Sequence, residues 1–384
     1  MRTKLNSFSS RKIITLAILS VFLLILLFGF IQSALFPISV DFRGNLWEPA
    51  YLLVRGMDPY NIQGIFDNLD PIWFPMIVGL FFPLGYLPLQ WASNLWFVFC
   101  GVVLFLIVAI MARPFKKPVY LIALIVFFLA IFPSSVGHFK FGQISLVVCL
   151  LMLILSKFRN QLNPIVAGFL LSIAFTKPQL VVLFLPAFLV IYFREQGKKR
   201  LIQLVLSTIL WGALLCLPLF IAHPDWFKSF FSNLYTNPLW AYPTFYYFLV
   251  LLFGFRGLVV GLAGLYLAIG VCIAAFLSFK INKFEALLWS MALTPVFSPV
   301  IWSNDFVLMY PLFLLLFFDR RSSYSSWVTI GGYTLCTILV IFVKNLGYID
   351  DHYSMWVPLF LSAVNALAYT IRNRKSRNSL QTTC

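Results

Sequence analysis

Apolar runs of membrane-spanning length, separated by short loops that hold most of the lysine and arginine, constrain this chain more than any other feature. Ile13–Phe30 is an uninterrupted apolar stretch preceded by Arg2, Lys4, Arg11 and Lys12, which predicts a first helix entering from the cytoplasm and retained as an anchor. Further spans are expected at Trp91–Ala112, Pro118–Val136, Gln143–Ser156, Pro164–Thr176, Leu180–Phe193, Leu201–Ala222, Gly257–Leu277, Ala286–Val300, Phe306–Phe318, Trp327–Val343 and Trp356–Ile371. The chain is 61% hydrophobic and only 10% charged, with a mean hydropathy of +0.94, far from a soluble domain. Its net charge of +16 lies in loop clusters, as on the inner face of membrane proteins, so nucleic acid is excluded as a partner and membrane lipids are implied. Five of the six cysteines lie inside apolar runs and none forms a CxxC pair, which fits small buried residues rather than disulfides or metal ligands.

Two apolar stretches, Ile72–Leu89 and Thr244–Phe255, are short or broken by proline and glycine. If both dip in and return, every strongly basic loop falls on one side, with Glu195, Glu285 and Asp319 as the acids of that face. The positive-inside rule then selects an all-α polytopic membrane protein of about twelve transmembrane helices plus two re-entrant or interfacial segments, N- and C-termini cytoplasmic. It reads as one integral-membrane domain over residues 1–384: first span 13–30, first exterior loop 34–90, core helices 91–222, second exterior loop 223–256, C-terminal helices 257–371 and a basic cytoplasmic tail 372–384.

This topology gathers unlike ionisable groups on the exterior face, where a membrane protein does chemistry by default. The first exterior loop carries Asp41, Arg43 and Glu48, then a short helix expected at Pro49–Arg55 and lying on the surface, then Gly56 and the turn Asp58-Pro59-Tyr60. Asp41 is the favoured acid; its plainer reading is a solvated residue at a helix exit. Glu48 fits an early-turn acid complementing the helix dipole, Asp58 a turn residue, and Asp67 and Asp70 ordinary loop acids. In Val136–Gln143 the candidates are His138, Lys140 and Gln143, against a tight exterior turn with a snorkelling lysine. Lys177 interrupts an apolar region and needs an anionic partner such as a phosphate. In Ser298–Asp305, Trp302 and Asp305 stand at a span entrance, where Asp305 equally suits a helix cap.

These motifs together resemble glycosyltransferase family 87. The residues concerned are Asp41-Phe42, Ala50–Tyr60, Trp73-Phe74-Pro75, Phe82-Pro83-Leu84, Gly142–Leu146, Ala167-Gly168 with Lys177-Pro178, and Ser298-Pro299 with Trp302. Members are membrane glycosyltransferases of the GT-C architecture, similar to the mycobacterial polyprenyl-phosphate-mannose-dependent α-mannosyltransferases. The resemblance implies a GT-C-like fold, a polyprenyl-phosphate-linked sugar donor, a glycan or glycolipid acceptor, and Asp41 as general base. It also implies hexose transfer, with mannose the expected sugar, at the outer face of the cell membrane. Two departures leave sugar and acceptor open: Arg43-Gly44 where the family commonly has an aromatic residue, and Trp73-Phe74-Pro75 for the usual Tyr-Pro-Pro.

On these residues a carboxylate takes the acceptor proton as C1 is attacked, and one displacement inverts the anomeric centre. Lys177, helped by Arg43, His138 and Lys140, is expected to bind the donor phosphate, with Glu48, Tyr60, Gln143, Trp302 and Asp305 lining the substrate pocket. No cofactor is assigned from the sequence. A divalent metal stays open but unsupported, because the loop has no Asp-X-Asp and Asp41 and Glu48 are too sparse a set. The rival class is a transporter or flippase of a lipid-linked sugar, which should show two related halves or mid-span charges; a non-catalytic scaffold leaves Lys177 unexplained.

Overall fold

The computed structural model describes residues 40–66, 71–236, 242–319 and 321–381, with side chains to residue 374. The first expected span, Ile13–Phe30, and Asp67 and Asp70 lie outside these residues. Every regular element among the described residues is helical. Helix α1 covers residues 40–53, running from Val40–Phe42 through a π turn at Arg43–Trp47 into Glu48–Leu53. Pro75–Phe81 forms α2 and continues into a 3-10 turn at Phe82–Tyr86; Leu89–Ala112 forms α3. Then come α4 (Val119–Ala130), α5 (Pro133–Phe141), α6 (Ser145–Phe158) and α7 (Pro164–Ala174). Helix α8 (Phe184–Ala222) is broken at Gly197, and α9 (Trp226–Thr236), α10 (Phe245–Phe253) and α11 (Gly257–Lys280) follow. The last elements are α12 (Lys283–Phe297), a 3-10 turn at Ser303–Met309 running into α13 (Tyr310–Phe318), α14 (Ser323–Asn345) and α15 (Trp356–Gln381).

Among the described residues five helical stretches are long and apolar enough to cross a membrane: Leu89–Phe115, Phe184–Ala222, Gly257–Lys280, Ser323–Asn345 and Asp351–Arg374. A sixth is counted if the bent pair α4–α5 is one span. About twelve full crossings are therefore not shown. The physical reason is length: α6 has 14 residues and α7 has 11, which at about 1.5 Å per residue fall short of a hydrocarbon core about 30 Å thick. The expected span Pro118–Val136 bends by 71° between α4 and α5, because Pro133 holds Phe132 in an extended conformation (ψ 138°) and cannot donate to the preceding turn.

Helices α6, α12 and α13 are buried along most of their length, whereas α8, α11 and α14 expose large apolar side chains such as Ile209, Leu258 and Ile338. In water such surfaces would drive aggregation; in lipid they are ordinary. Close helix approach depends on small residues. A Cβ on Gly168 would sit 2.6 Å from Ser207 Oγ, so α7 packs against α8 only because that position has no side chain.

Two expectations about the first loop and the chain end change. The helix expected over Pro49–Arg55 is observed as Glu48–Leu53, and it does not lie on the surface: Glu48, Pro49, Ala50, Leu52 and Leu53 are all buried. The cause is the Phe82–Tyr86 turn, where Gly85 approaches so closely that a Cβ there would meet Ala50 O at 2.2 Å. Of the segment expected as a basic tail, 372–384, the described residues 372–381 continue α15, and Arg372 is fully buried. All three acids expected on the inner face are ion-paired: Glu195 with Arg159 and Lys283, and Glu285 and Asp319 with Arg321 and Arg372.

Candidate active site

Four breaks in helical regularity bring the candidate residues together. The first is α1 itself, where Asp41 lies in the opening turn just before the π turn. Such wide turns often occur at functional sites. Here the five-residue spacing places Arg43 and Glu48 on one face, and Arg43 Nε donates to Glu48 Oε1 at 2.7 Å. Glu48 is fully buried and belongs to this pair, while Arg43 keeps 38% of its side chain exposed.

The second break is the end of α5. Pro133 starts the helix and Gly142, at φ 67°, ends it in the left-handed conformation that glycine adopts without cost. The expected tight turn at Val136–Gln143 is thus a capped helix terminus. His138 O accepts from Gly142 N at 2.9 Å and from Gln143 N at 3.1 Å, and Trp96 Nε1 donates to Gly142 O at 2.9 Å. These bonds fix the backbone from which the Gln143 side chain departs. Trp96 also stacks on Phe42, ring centroids 5.8 Å apart, so one indole braces both Gln143 and the helix that carries Asp41.

The third break is the gap between α7 and the Pro178–Val181 turn, where Lys177 adopts φ −133°, ψ 77° ahead of Pro178. The fourth is the stretch between α12 and the Ser303–Met309 turn, which delivers Asp305.

Lys177 is the hub of the cluster. Its Nζ donates to Asp305 Oδ1 at 2.6 Å, to Gln143 Oε1 at 2.8 Å and to Ser145 Oγ at 3.3 Å. Ser145 Oγ also donates to Asp305 Oδ1. Gln143 then passes the connection on, with its Nε2 donating to Asp41 Oδ2. An ammonium can only donate and an ionised carboxylate can only accept, so the Gln143 amide has one workable orientation, oxygen toward Lys177 and nitrogen toward Asp41. Asp305 Oδ2 accepts from Trp302 N at 3.0 Å. Asp305 is therefore both a helix-cap acid and part of the cluster.

Lys177 and Asp305 are buried, at 5% and 0% exposure. Asp41 is only partly so, and among the described residues its Oδ1 takes no hydrogen bond. Burial pushes the Asp41 carboxyl up to about 6; Lys177 and the Gln143 bond pull it down, and the Asp305 charge pushes it up. A carboxyl in that range changes protonation near neutral pH, as a general base must.

The remaining sequence candidates are placed as follows. His138 is fully buried, and neither ring nitrogen has a hydrogen-bond partner among the described residues. Lys140 is exposed, its Nζ 5.6 Å from the Phe141 ring centroid. Trp302 packs edge-on against Tyr242, ring centroids 4.9 Å apart. Tyr60 belongs to a different cluster: its hydroxyl donates to Trp73 O at 2.8 Å and its ring meets Trp226 and Phe230. Asp58 is the turn residue expected, accepting from Tyr60 N at 3.0 Å. Among the described residues no group of three His, Cys, Asp or Glu side chains is placed to hold a metal ion. Sequence reasoning missed Trp96, Ser145 and Ser303. Trp96 is one aromatic residue among many in an apolar run, and nothing in its neighbours marks it.

The sequence model of glycosyltransferase family 87 matches residues 74–299. That range includes Gln143, Ser145 and Lys177, and leaves Asp41 before it and Asp305 after it. No curated protein and no solved structure matches the chain.

Proposed function

The chain belongs to glycosyltransferase family 87 and is a membrane glycosyltransferase, and from that premise we propose that it moves a hexose, mannose in the first instance, from a polyprenyl-phosphate donor to a glycan or glycolipid acceptor at the outer face of the membrane. The observation that carries the proposal is the Asp41 carboxylate: one oxygen is held by Gln143, the other is without a protein partner among the described residues, and burial raises its proton affinity.

In the proposed reaction Asp41 Oδ1 accepts the proton of an acceptor hydroxyl as the hydroxyl oxygen bonds to C1 of the donor sugar. The bond from C1 to the phosphate oxygen breaks, the polyprenyl phosphate leaves with the electron pair, and the anomeric centre inverts. Lys177 has its ammonium directed at three protein acceptors, so in this reading it orients and polarises Gln143 and holds Asp41 in place. The leaving phosphate is assigned to Arg43, two residues along the helix from Asp41 and half-exposed, with Lys140 as the second cation at the surface. Trp302 and Tyr242 offer aromatic faces to a sugar ring beside Asp305.

The test is transfer of labelled mannose from a short-chain polyprenyl-phosphate donor by the purified full chain in lipid nanodiscs. Wild-type protein should glycosylate a membrane glycolipid acceptor, and Asp41→Asn should not. Full activity in Asp41→Asn would remove Asp41 as base, and donor binding without transfer to any acceptor would favour a transporter.

A further inference from the structure

Asp351 opens the 3-10 turn Asp351–Ser354 between α14 and α15, well beyond the residues that match the family. Its carboxylate is bonded twice to one residue: Ser303 N donates to Oδ2 at 2.8 Å, and Ser303 Oγ donates to Oδ1. Ser303 is the first residue of the 3-10 turn that carries Asp305. The opening N–H groups of such a turn have no partner within it and attract a carboxylate. Two acids meet that need together, Asp305 holding the N–H of Trp302 and Asp351 that of Ser303. Asp351 also lies within electrostatic reach of Asp305.

We infer that Asp351 is a positioning residue for sugar transfer: it clamps residues 302–305 so that Asp305 holds Lys177, and Lys177 through Gln143 holds Asp41. The inference rests on the reading of Asp41 as the base. The chain of contacts is continuous, from Asp351 to Ser303, along the backbone to Asp305, to Lys177 at 2.6 Å, to Gln143 at 2.8 Å and on to Asp41. Just upstream, the backbone is tied by neutral bonds, Thr244 Oγ1 to Pro299 O at 3.0 Å and Ser298 Oγ to Gln179 O at 3.3 Å. Bonds to an ionised acceptor are stronger, so Asp351 dominates the restraint. Because Asp351 acts through this relay, its loss affects the catalytic step more than donor binding, and a small misplacement of Asp41 is costly.

The experiment combines transfer kinetics with backbone hydrogen exchange on the full chain in nanodiscs, for wild type, Asp351→Asn, Ser303→Ala and the double variant. Asp351→Asn should lower kcat by about tenfold with donor KM within about twofold, and speed exchange in residues 299–306 by about tenfold. Ser303→Ala keeps the backbone contact, so its kcat should fall by about threefold, and the double variant should be no worse than Asp351→Asn alone. Unchanged kcat in Asp351→Asn, a rise in KM alone, or losses that multiply in the double variant would overturn the inference. Should Asp351→Asn fail to fold, Ser303→Ala decides, with unchanged exchange and kcat counting against the clamp. A wild-type protein that transfers no sugar would remove the reading of Asp41 as base but not the clamp, which stands or falls on the exchange in Asp351→Asn.

Discussion

The hairpin of α12 and α13 carries a buried ion cluster at each end, separated by the 14 residues from Asp305 to Asp319, roughly 20 Å of helix, and the two are finished differently. At the helix-end cluster Arg372 Nε donates to Asp319 Oδ2 at 2.8 Å and its Nη2 to Glu285 Oε1 at 2.5 Å. Arg321 N donates to Asp319 Oδ1 at 3.0 Å, and Tyr369 donates to Glu285 Oε2 at 2.8 Å. Two arginines meet two acids there, and every carboxylate oxygen is occupied. At the tip, Lys177 is the one cation shared by Asp305 and, through Gln143, Asp41, and Asp41 Oδ1 is left without a protein partner among the described residues. Burying charge is unfavourable unless it is paired and hydrogen-bonded. Among the described residues the helix-end cluster leaves the buried Arg372 Nη1 without a partner but no carboxylate oxygen free, whereas the tip leaves a carboxylate oxygen and an excess negative charge at a partly exposed position, which is what the proposed reaction needs.

The largest expected effect sets the two clusters against each other. Asp41→Asn should reduce transfer by about a thousandfold, the range for losing a general base, with a thermal midpoint equal to or above wild type, because burial disfavours the ionised carboxylate that the substitution removes. Asp319→Asn should do the reverse: transfer per folded molecule stays near wild type, while the fold loses about 3 kcal/mol because Arg372 is buried with half its counter-charge gone. Thermal unfolding in detergent and single-turnover transfer on the same samples check both. If Asp319→Asn impairs transfer as strongly as Asp41→Asn, the distinction between the clusters fails.

Buried cations give the next contrast. Lys177→Met leaves Asp305 unpaired and should cost about 3–5 kcal/mol, as should Arg372→Met. Pairing Lys177→Met with Asp305→Leu should restore most of the stability but none of the transfer, since Gln143 then lacks the cation that orients it. Urea unfolding and transfer assays separate these outcomes, and recovery of transfer in the double variant would make the tip cluster purely structural.

The two clusters also differ in how legible they are in the sequence. The membrane class, the apolar helices and the family follow from composition and motif order, and Asp41, Gln143, Lys177 and Asp305 are each visible as polar residues interrupting apolar or turn-forming stretches. Their connection is not. The contacts span 102 residues from Asp41 to Gln143 and 128 from Lys177 to Asp305, and no local pattern encodes a pairing at that separation. Helix length is also hidden, because Pro133 divides the run Pro118–Val136 that hydropathy alone treats as continuous. Arg372 reads as the start of a tail because its partners, Glu285 and Asp319, lie 87 and 53 residues away.

A smaller effect concerns pH. With the Asp41 carboxyl at about 6, kcat/KM should fall as pH drops through about 6, because the base becomes protonated. Stability runs the other way: the folded pKa is above the ordinary aspartate value of 3.8, so the contribution is fully present below about 3.8 and lost as pH rises through about 6. Gln143→Leu removes a bond that favours the ionised form and should move the acid limb upward by about 1 unit. A limb that stays in place in that variant, measured from pH 5 to 8, would detach Gln143 from the base.

The smallest effect separates strain from position. Gly56 and Gly142 both adopt left-handed backbone, at φ 69° and 67°, and alanine at either should cost about 1 kcal/mol of fold stability. Gly56 has open space around the position a Cβ would take, and its turn leads toward the Tyr60 cluster. Gly142 is bonded to Trp96 and directly precedes Gln143. Equal losses of stability should therefore come with unequal losses of function: Gly56→Ala keeps wild-type kcat, and Gly142→Ala loses about threefold as Gln143 shifts against Asp41. If both variants lower kcat alike, the backbone around Gln143 is no more tightly coupled to transfer than any other turn on that face, and the support attributed to Trp96 falls with it.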